Sequence, residues 1–422
     1  MTSAEPGLVR GLGLPDAVVI GLGSMVGAGV FAVWAPAAKA AGAGLLAGLV
    51  IAAIVAYCNA ASSAQLAAVY PVSGGAYIYG RERLSPTLGF MAGSCFVIGK
   101  TASCAAMALT FATYVVPDPG WFRRAVALLA VILLAAVNYR GVTRTARLTR
   151  ILVACSLAVL ALVLVLLQTS ATTHQLPSVW PGGTSVYGVL QAAGLLFFAF
   201  AGYARIATMG EEVRDPARTI PRAISLALVV AVGIYLVIGL ALLVTVGASG
   251  LADSAAPLAT AVSTADAAWA VPIVRIGAAL ASLGALLALI AGIGRTTLAM
   301  ARNGDLPSWL AAVHPRFRVP HHAEMVLAVV VGVLVLTTDL RGVIGFSSFG
   351  VLLYYAVANA AAFTQPRDQR RWPRFVSVLG LLGCVVLAFT LPPTSAITAA
   401  AVLAVALVAR WVRSGRGGSA RS

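Results

Sequence analysis

The first stretch whose residue types could do chemistry is a run of glycines inside an apolar segment. Gly21, Gly23, Gly27 and Gly29 fall within nine residues, although each glycine costs a helix interior about 1 kcal/mol relative to alanine. Two interpretations remain open. The Gly23-x-x-x-Gly27 spacing is typical of close packing between membrane helices. Alternatively, the helix is broken, and the freed amides at the start of its second half attract an anion.

A second interruption lies in the sixth apolar segment. Gly202 interrupts the aromatic-rich run FFAFAGY at positions 197–203. Non-helical backbone inside a bilayer is tolerated only where it is buried in protein or lines a cavity. Interrupted helices at positions one and six indicate an inverted repeat of five helices plus five, with a binding site between the two repeats.

A lysine lies near the middle of the third apolar segment. Lys100 is embedded in the run GSCFVIGKTASCAAM at positions 93–107, where a charge costs at least about 2.5–3.5 kcal/mol on insertion scales. Such a group needs a function or a partner. Three roles remain open: a proton-coupling group, a fixed charge that contacts a substrate, or a structural cation held by backbone carbonyls.

Other charged residues are candidates for a gate rather than for catalysis. Arg205 follows the second interruption, and we expect it to stabilise the inner half of the sixth segment or to cap an inner gate. Arg295 lies near the inner end of the eighth segment and could pair with Glu211. None of the 13 acidic residues lies in the middle of an apolar segment. No carboxylate proton relay, catalytic dyad, metal site or cofactor is therefore expected.

The composition identifies the elements that position these residues. Of the 422 residues, 60% are hydrophobic and only 10% are charged, whereas soluble domains carry roughly 25% charged residues. The net charge of +16 could suggest nucleic acid, but the basic residues lie in short clusters between apolar runs, as in cytoplasmic loops. The five cysteines lie inside apolar runs without metal-ligand spacing. We expect a polytopic membrane protein in the lipid bilayer, with no nucleic-acid partner and no disulfide.

Twelve segments are apolar enough to cross a hydrocarbon core about 30 Å thick. The chain 1–422 reads as one polytopic domain, because no polar stretch is long enough for a separate soluble domain. The segments are predicted at 14–38, 44–69, 86–116, 125–138, 148–168, 187–209, 223–246, 272–300, 323–338, 342–363, 375–391 and 395–412, of which the fourth and ninth are short.

The distribution of basic residues predicts the orientation. With the N-terminus inside, 21 of the 29 Lys and Arg residues fall in inside loops and tails. Only four fall outside, and these are Lys39, Arg123, Arg124 and Arg341. The positive-inside rule therefore places both termini in the cytoplasm, and we expect a multi-pass protein of the cell membrane.

Four motifs make the chain resemble the amino acid–polyamine–organocation (APC) superfamily, in particular bacterial amino acid permeases. The motifs are GSMVGAGVF (23–31), YPVSGGAY (70–77), EEVRDPARTIP (211–221) and RTTLAMARNGDLP (295–307). The resemblance covers roughly residues 8–365. It implies the all-α LeuT-like membrane fold of 12 transmembrane helices, with helices 1 and 6 discontinuous. Residues 14–168 would form the first inverted repeat, 187–363 the second, and 375–412 the two helices outside them.

The resemblance also implies a substrate site at the two breaks. The substrate carboxylate would meet amides of the first break, and the substrate amine would meet carbonyls of the second, beside Gly202. Phe198 or Phe200 would be an aromatic gate. The amides are those around Ser24, Met25, Gly27, Ala28 and Gly29, and the carbonyls are those near Phe198, Ala199 and Ala201.

Departures from the family pattern bear on the driving ion and the substrate. Ala204 stands where the family often has an acidic residue, and Ser156 stands where some members carry a lysine. In the eighth segment only Ser282 offers a hydroxyl to a sodium ion between residues 280 and 292. Protons are therefore favoured over sodium, and neutral amino acids over cationic ones.

These features predict a secondary transporter that imports a small, neutral amino acid by proton symport with alternating access. An exchanger without ion coupling, or an amine or polyamine transporter, is the alternative. A channel or transceptor is a remote alternative, because the asymmetric breaks do not suggest a filter of repeated subunits. The expected partners are the amino acid, the proton and the lipid bilayer, and no enzymatic activity is expected.

Overall fold

The structure is a computed structural model that describes residues 12–71, 74–140, 145–169, 185–203, 206, 213–317 and 319–418. Its helices are α1 Leu14–Met25, α2 Ala28–Ala32, α3 Trp34–Ala41, α4 Leu45–Val69, α5 Ala76–Arg83, α6 Pro86–Val115, α7 Trp121–Tyr139, α8 Thr145–Thr169, α9 Val186–Phe200, α10 Pro216–Asp253, α11 Pro257–Thr264, α12 Val271–Arg302, α13 His321–Thr337, α14 Leu340–Phe363, α15 Arg374–Thr390 and α16 Pro393–Gly418.

The described part of the chain is helical throughout, apart from turns and one isolated bridge between Leu12 and Val213. Ten of its stretches are long and apolar enough to cross a membrane. Two further apolar helices, α13 and α15, have 17 residues each. This arrangement agrees with a multi-pass membrane protein.

Several helix bounds differ from those that apolar length predicts. The α7 helix has 19 residues rather than the predicted 14. The α10 helix begins at Pro216, seven residues before the predicted 223, because proline fits the first turn of a helix and the polar residues after it continue that helix. Two short helices, α5 and α11, occupy stretches predicted as loops. Polar or short helices of this kind carry no apolar signal of membrane length.

The α6 helix lies at the centre of the bundle and packs on α12 and α14. Most of its residues are buried, and they include many glycines, alanines, serines and cysteines. At Gly99 an added Cβ would lie 3.1 Å from the Ser347 carbonyl oxygen, and the hydroxyls of Ser103 and Ser347 are 2.6 Å apart. Small side chains thus let the backbones of α6 and α14 approach closely beside Lys100.

The buried carboxylate of Asp305 joins three chain segments at the end of the bundle where Arg81 and Arg410 lie, and this end is called the basic end. Asp305 accepts hydrogen bonds from Arg81 and from the Tyr77 hydroxyl, each at 2.7 Å, and it also pairs with Arg410 of α16. Burial and the hydrogen bond to Asp305 raise the pKa of Tyr77 to about 12, so its hydroxyl remains a donor at neutral pH. The guanidinium of Arg410 also lies 4.7 Å from the ring centre of Phe90 in α6. These contacts of Arg410 hold helix α16 against α6 and against the segment that carries Asp305.

Candidate binding cavity

The first glycine run breaks its helix. Helix α1 ends at Met25, and α2 begins at Ala28 after Gly27, whose φ of −68° and ψ of −135° are not helical. The next residues, through Ala41, form α2 and α3, with Val33 in a helical conformation between them. The segment predicted at 14–38 is therefore two half-helices. The amides that open the second half have no partner within the helix.

The second interruption also ends a helix inside the bundle. Helix α9 stops at Phe200, and residues Ala201–Tyr203 form one 3-10 turn. Residues 204–205 and 207–212 are not described, so the predicted gate residues Arg205 and Glu211 lie outside the described residues.

The two breaks lie against each other, and glycine makes the contact possible. A Cβ added at Gly202 would lie 2.2 Å from the Ser24 carbonyl oxygen and 2.6 Å from the Met25 nitrogen. A Cβ added at Gly29 would lie 2.8 Å from the Cα of Ala199. These are backbone atoms that cannot rotate away. The glycines therefore serve close approach between the breaks as well as the interruption of each helix.

A tyrosine from α10 ties the two breaks together. The Tyr235 hydroxyl lies 2.7 Å from the Met25 carbonyl oxygen and 3.1 Å from that of Ala199. Its ring packs edge-on against Phe200, with ring centres 5.0 Å apart. The hydroxyl has one proton to donate, so it donates to one of these two buried carbonyls at a time, and the contact to Met25 is the shorter.

A cavity of about 380 Å³ opens beside the breaks, which is within the usual size range of small-molecule sites. It lies between both breaks, α6, α8 and α12, and it extends along α12 toward the basic end. The lining residues include Gly23, Ser24, Val26, Gly27, Gly74, Phe96, Lys100, Ser103, Met107, Leu152, Val153, Ser156, Phe198, Ala201, Gly202, Ala281, Gly284, Ala285, Ala288, Leu289, Gly292, Ile293, Arg295, Thr296 and Ala299.

The predicted site residues divide into two groups. Those that line the cavity are Ser24, Gly27, Phe198, Ala201, Gly202, Lys100 and Arg295. Those that pack behind its wall are Met25, Ala28, Gly29, Ala199 and Phe200, all of them buried. Of the two aromatic gate candidates, only Phe198 borders the cavity. The other, Phe200, faces Tyr235.

Lys100 lies at the wall of the cavity and contacts the second break. Its ammonium donates a hydrogen bond of 3.1 Å to the Ala201 carbonyl oxygen, and the residue is only 6% exposed. This geometry is compatible with two of the three predicted roles: a backbone carbonyl holds the charge, and the charge borders the space open to a ligand. The role in proton coupling stays a prediction.

The charge around the cavity is positive. Among the described residues that line it, Lys100 and Arg295 are the ionisable ones, and no carboxylate is among them. Arg295 interacts electrostatically with the buried Glu324 of α13. Its predicted pairing with Glu211 stays a prediction, because Glu211 lies outside the described residues. The lining therefore attracts an anionic group and gives a second cation no counter-charge.

The wall formed by α12 offers methyl groups at the first break. The Cβ of Ala285 lies 2.9 Å from the Cβ position of Gly27, and the Ala281 carbonyl oxygen lies 3.7 Å from it. Ser282, the predicted hydroxyl in this region, is fully buried and does not line the cavity. Oxygen ligands are the groups that a hard cation needs; the alanine side chains supply none, and the oxygens near Gly27 are backbone carbonyls of Gly23 and Ala281.

Sequence reasoning missed several residues of the site. Tyr235 and Ser103 were not identified, since a hydroxyl in an apolar run carries no signal of which helix face it occupies. The signal that could have indicated close contact between the two breaks was a small residue in each of them, Gly29 in the first and Ala199 in the second.

Comparisons with known proteins agree on one family. The sequence profile described as amino acid permease matches residues 12–417. An uncharacterized transporter of Mycobacterium tuberculosis is 58% identical, over 96% of this chain and 92% of its own length. The branched-chain amino acid permease BcaP of Bacillus subtilis is 25% identical, over 88% of this chain and 84% of its own length. Cationic amino acid transporter 7 of Arabidopsis thaliana is 28% identical, over 89% and 69% respectively.

The match spans nearly the whole chain, so both breaks, Lys100 and the cavity all lie within the shared region. The relatives named above are transporters rather than enzymes. The chain therefore belongs to the amino acid permease family of the APC superfamily, and its expected substrate class is amino acids.

Proposed function

We propose that this protein imports a small, neutral amino acid across the cell membrane by proton symport. The observation that carries the proposal is the cavity of about 380 Å³ at the point where two broken helices meet. Unpaired backbone in a bilayer is costly unless it lines a cavity or binds a ligand. Two breaks in contact beside one cavity bring amides and carbonyls to a single ligand.

The breaks suit the two ends of a zwitterion. The amides that follow Gly27 open a half-helix, where the dipole favours the substrate carboxylate. The carbonyls of Phe198, Ala199 and Ala201 close the other half-helix, where the dipole favours the ammonium. The remaining predicted contacts, at Ser24, Met25, Ala28 and Gly29, belong to the same first break, and Phe198 covers the side chain.

The preference for a neutral side chain follows from the charges in the lining. Lys100 and Arg295 give the described lining two positive charges and no carboxylate. A zwitterion adds no net charge, whereas a cationic amino acid adds a further positive charge beside Lys100 at low dielectric, and the carboxylate that faces Arg295, Glu324, is not among the lining residues. The named activities of the relatives include branched-chain and cationic substrates, so this charge pattern is the argument for the neutral class.

Lys100 is the proposed proton-coupling group. Among the described residues that line the cavity, Lys100 is the amine, and an amine can exchange a proton in conditions where the guanidinium of Arg295 cannot. The α12 side chains at 281 and 285 are alanines and carry no oxygen, and this supports protons over sodium as the coupled ion; the Ala281 oxygen near the first break belongs to the backbone.

The proposed architecture is the LeuT-like fold of 12 transmembrane helices in one polytopic domain. Residues 14–168 and 187–363 would be the inverted repeats, with both termini in the cytoplasm. In this orientation the basic end is cytoplasmic, and the cavity, which extends toward it, belongs to an inward-facing state. Alternating access would then move the first, second, sixth and seventh of the twelve predicted membrane segments against the third, fourth, eighth and ninth.

Uptake into proteoliposomes tests the proposal. A panel of radiolabelled amino acids and amines is offered with an inward proton gradient, with a sodium gradient, or with neither. We expect accumulation of a small neutral amino acid that requires the proton gradient and is lost in Lys100→Ala. The matched control is Lys39→Ala, which removes the exposed lysine. Sodium-driven uptake, or proton-driven uptake in Lys100→Ala, would contradict the mechanism.

Amino-acid exchange without ion coupling is a second candidate. It is favoured by the hydrogen bond from Lys100 to the Ala201 carbonyl, because a cation held in this way can remain charged throughout the cycle. Counterflow distinguishes the two: an exchanger needs internal amino acid and ignores a pH step, whereas a symporter accumulates substrate into empty vesicles.

A further inference from the structure

The carbonyls proposed to receive the substrate ammonium already have donors within the protein. The Phe198 oxygen accepts from the Ala201 amide. The Ala199 oxygen lies 3.1 Å from the Tyr235 hydroxyl. The Ala201 oxygen accepts from the Lys100 ammonium at 3.1 Å. Of these three donors, only Lys100 carries the same chemical group as the substrate.

A lysine ammonium and an α-ammonium compete for the same acceptor. Both carry one positive charge and three N–H donors, and both would approach the Ala201 oxygen from the cavity, which Lys100 itself lines. Two cations on one buried carbonyl would repel each other strongly, because the interior screens charge poorly. Binding of a substrate ammonium there therefore requires that Lys100 leaves.

We propose that Lys100 is a tethered substitute for the substrate ammonium and that it changes partners when the substrate binds. In the empty cavity its Nζ holds the Ala201 carbonyl. When an amino acid enters, the substrate ammonium takes that carbonyl, and Lys100 turns to the substrate carboxylate. This inference rests on the substrate class of the proposed function, since it requires a substrate with both groups, and it concerns the protonated form of Lys100; proton release would belong to a separate step of the cycle.

The exchange keeps the charge of the site balanced. The empty site has one ammonium on one carbonyl. The filled site has two ammonium groups and one carboxylate, so its net charge is unchanged. The flexible four-carbon stem of Lys100 permits this movement, and no described carboxylate in the lining competes for the displaced ammonium. A substrate that lacks either group upsets the balance.

Substrate fragments are therefore expected to respond to Lys100 in opposite directions. An alkylamine must displace Lys100 and offers it no new partner, so Lys100 opposes its binding. An alkyl carboxylate gives Lys100 a partner without competing for the Ala201 oxygen, so Lys100 favours its binding. A purely structural lysine would give neither of these opposite effects.

The test measures binding of an amino acid and its two fragments to purified protein in nanodiscs. With leucine as the amino acid, the fragments are 3-methylbutylamine and 4-methylpentanoate. Where another neutral amino acid binds more tightly, its own amine and acid replace them. The variants are Lys100→Met, which keeps the length and removes the charge, and Lys39→Met, the same change at an exposed lysine.

In Lys100→Met we expect the amine to bind about tenfold more tightly and the carboxylate about tenfold more weakly, as expected for gain or loss of a charge-assisted hydrogen bond. The affinity for the amino acid should change less than the affinity for either fragment. In Lys39→Met all three affinities should match wild type. Shifts of both fragments in the same direction, or of neither, would overturn the exchange.

A measurement on the wild type does not depend on the variant's folding. Saturating carboxylate should tighten binding of the amine, because it supplies the partner that the displaced Lys100 needs. Independent binding of the two fragments would overturn the exchange. If no amino acid binds to the wild type, both proposals are overturned, whereas amino-acid binding with independent fragments overturns the exchange alone.

Discussion

Gly202→Ala tests whether close contact between the two breaks is needed for binding. The added Cβ would lie 2.2 Å from the Ser24 carbonyl oxygen, 2.3 Å from its carbon and 2.6 Å from the Met25 nitrogen. Carbon–oxygen contacts normally lie at about 3.3–3.6 Å, so the two breaks must separate by roughly 1 Å. Because every atom struck belongs to the backbone, no side-chain rotation relieves the clash.

The expected cost is about 1–3 kcal/mol, as for other overpacked interiors. If this cost falls on the arrangement that holds the ligand, affinity for the amino acid falls by about 5- to 150-fold. The assay is equilibrium binding of the radiolabelled amino acid, with thermal unfolding as a check on folding. The matched control is Gly233→Ala in α10, where an added Cβ meets nothing within 4 Å. Wild-type affinity in a folded Gly202→Ala protein would refute the reasoning.

Three further predictions address the supports of the site. Tyr235→Phe removes the hydroxyl that lies between the Met25 and Ala199 carbonyls. We expect the free energy of unfolding to fall by about 1–3 kcal/mol, measured as a lower unfolding temperature together with weaker binding of the amino acid. Asp305→Asn removes the buried carboxylate of the basic end and should lower the free energy of unfolding by up to about 3–5 kcal/mol, measured as a clearly lower unfolding temperature. The exposed Asp215→Asn control should cost about 0–1 kcal/mol, and equal effects would contradict the account. Ser282→Ala removes a buried hydroxyl that has no hydrogen-bond partner among the described residues. The unfolding temperature and the proton-driven uptake should therefore both be unchanged, as thermal unfolding and a transport assay can check.

The fold was predictable where a single segment carried the signal. Apolar length located the spans, and glycine located both breaks, at Gly27 and Gly202. The start of α10 at Pro216 was missed because apolarity alone placed it at 223, where the first strongly apolar run begins. The short helix α5 was missed because its sequence AYIYGRER has no membrane-length apolar run.

The site was predictable only in part, because its residues come from distant parts of the chain. Lys100 stood out as a charge in an apolar segment, but nothing in its own segment names Ala201 as its partner, 101 positions away. Tyr235 could not be identified either, because one hydroxyl in an apolar helix carries no periodic signal. For the same reason, the interaction of Arg295 with Glu324 was not predicted, and the predicted partner Glu211 lies outside the described residues.

The sequence by itself determined that this protein is a helical membrane protein with two interrupted helices and one central lysine. Those properties follow from composition and from local backbone cost, both of which one segment contains. Only the tertiary structure decided that the two breaks are in contact, that Lys100 donates to the Ala201 carbonyl, and that α12 places Ala281 and Ala285 beside the first break. Membrane helices are apolar on nearly every face, so the choice of facing residues depends on small differences in packing between segments that are far apart in the chain.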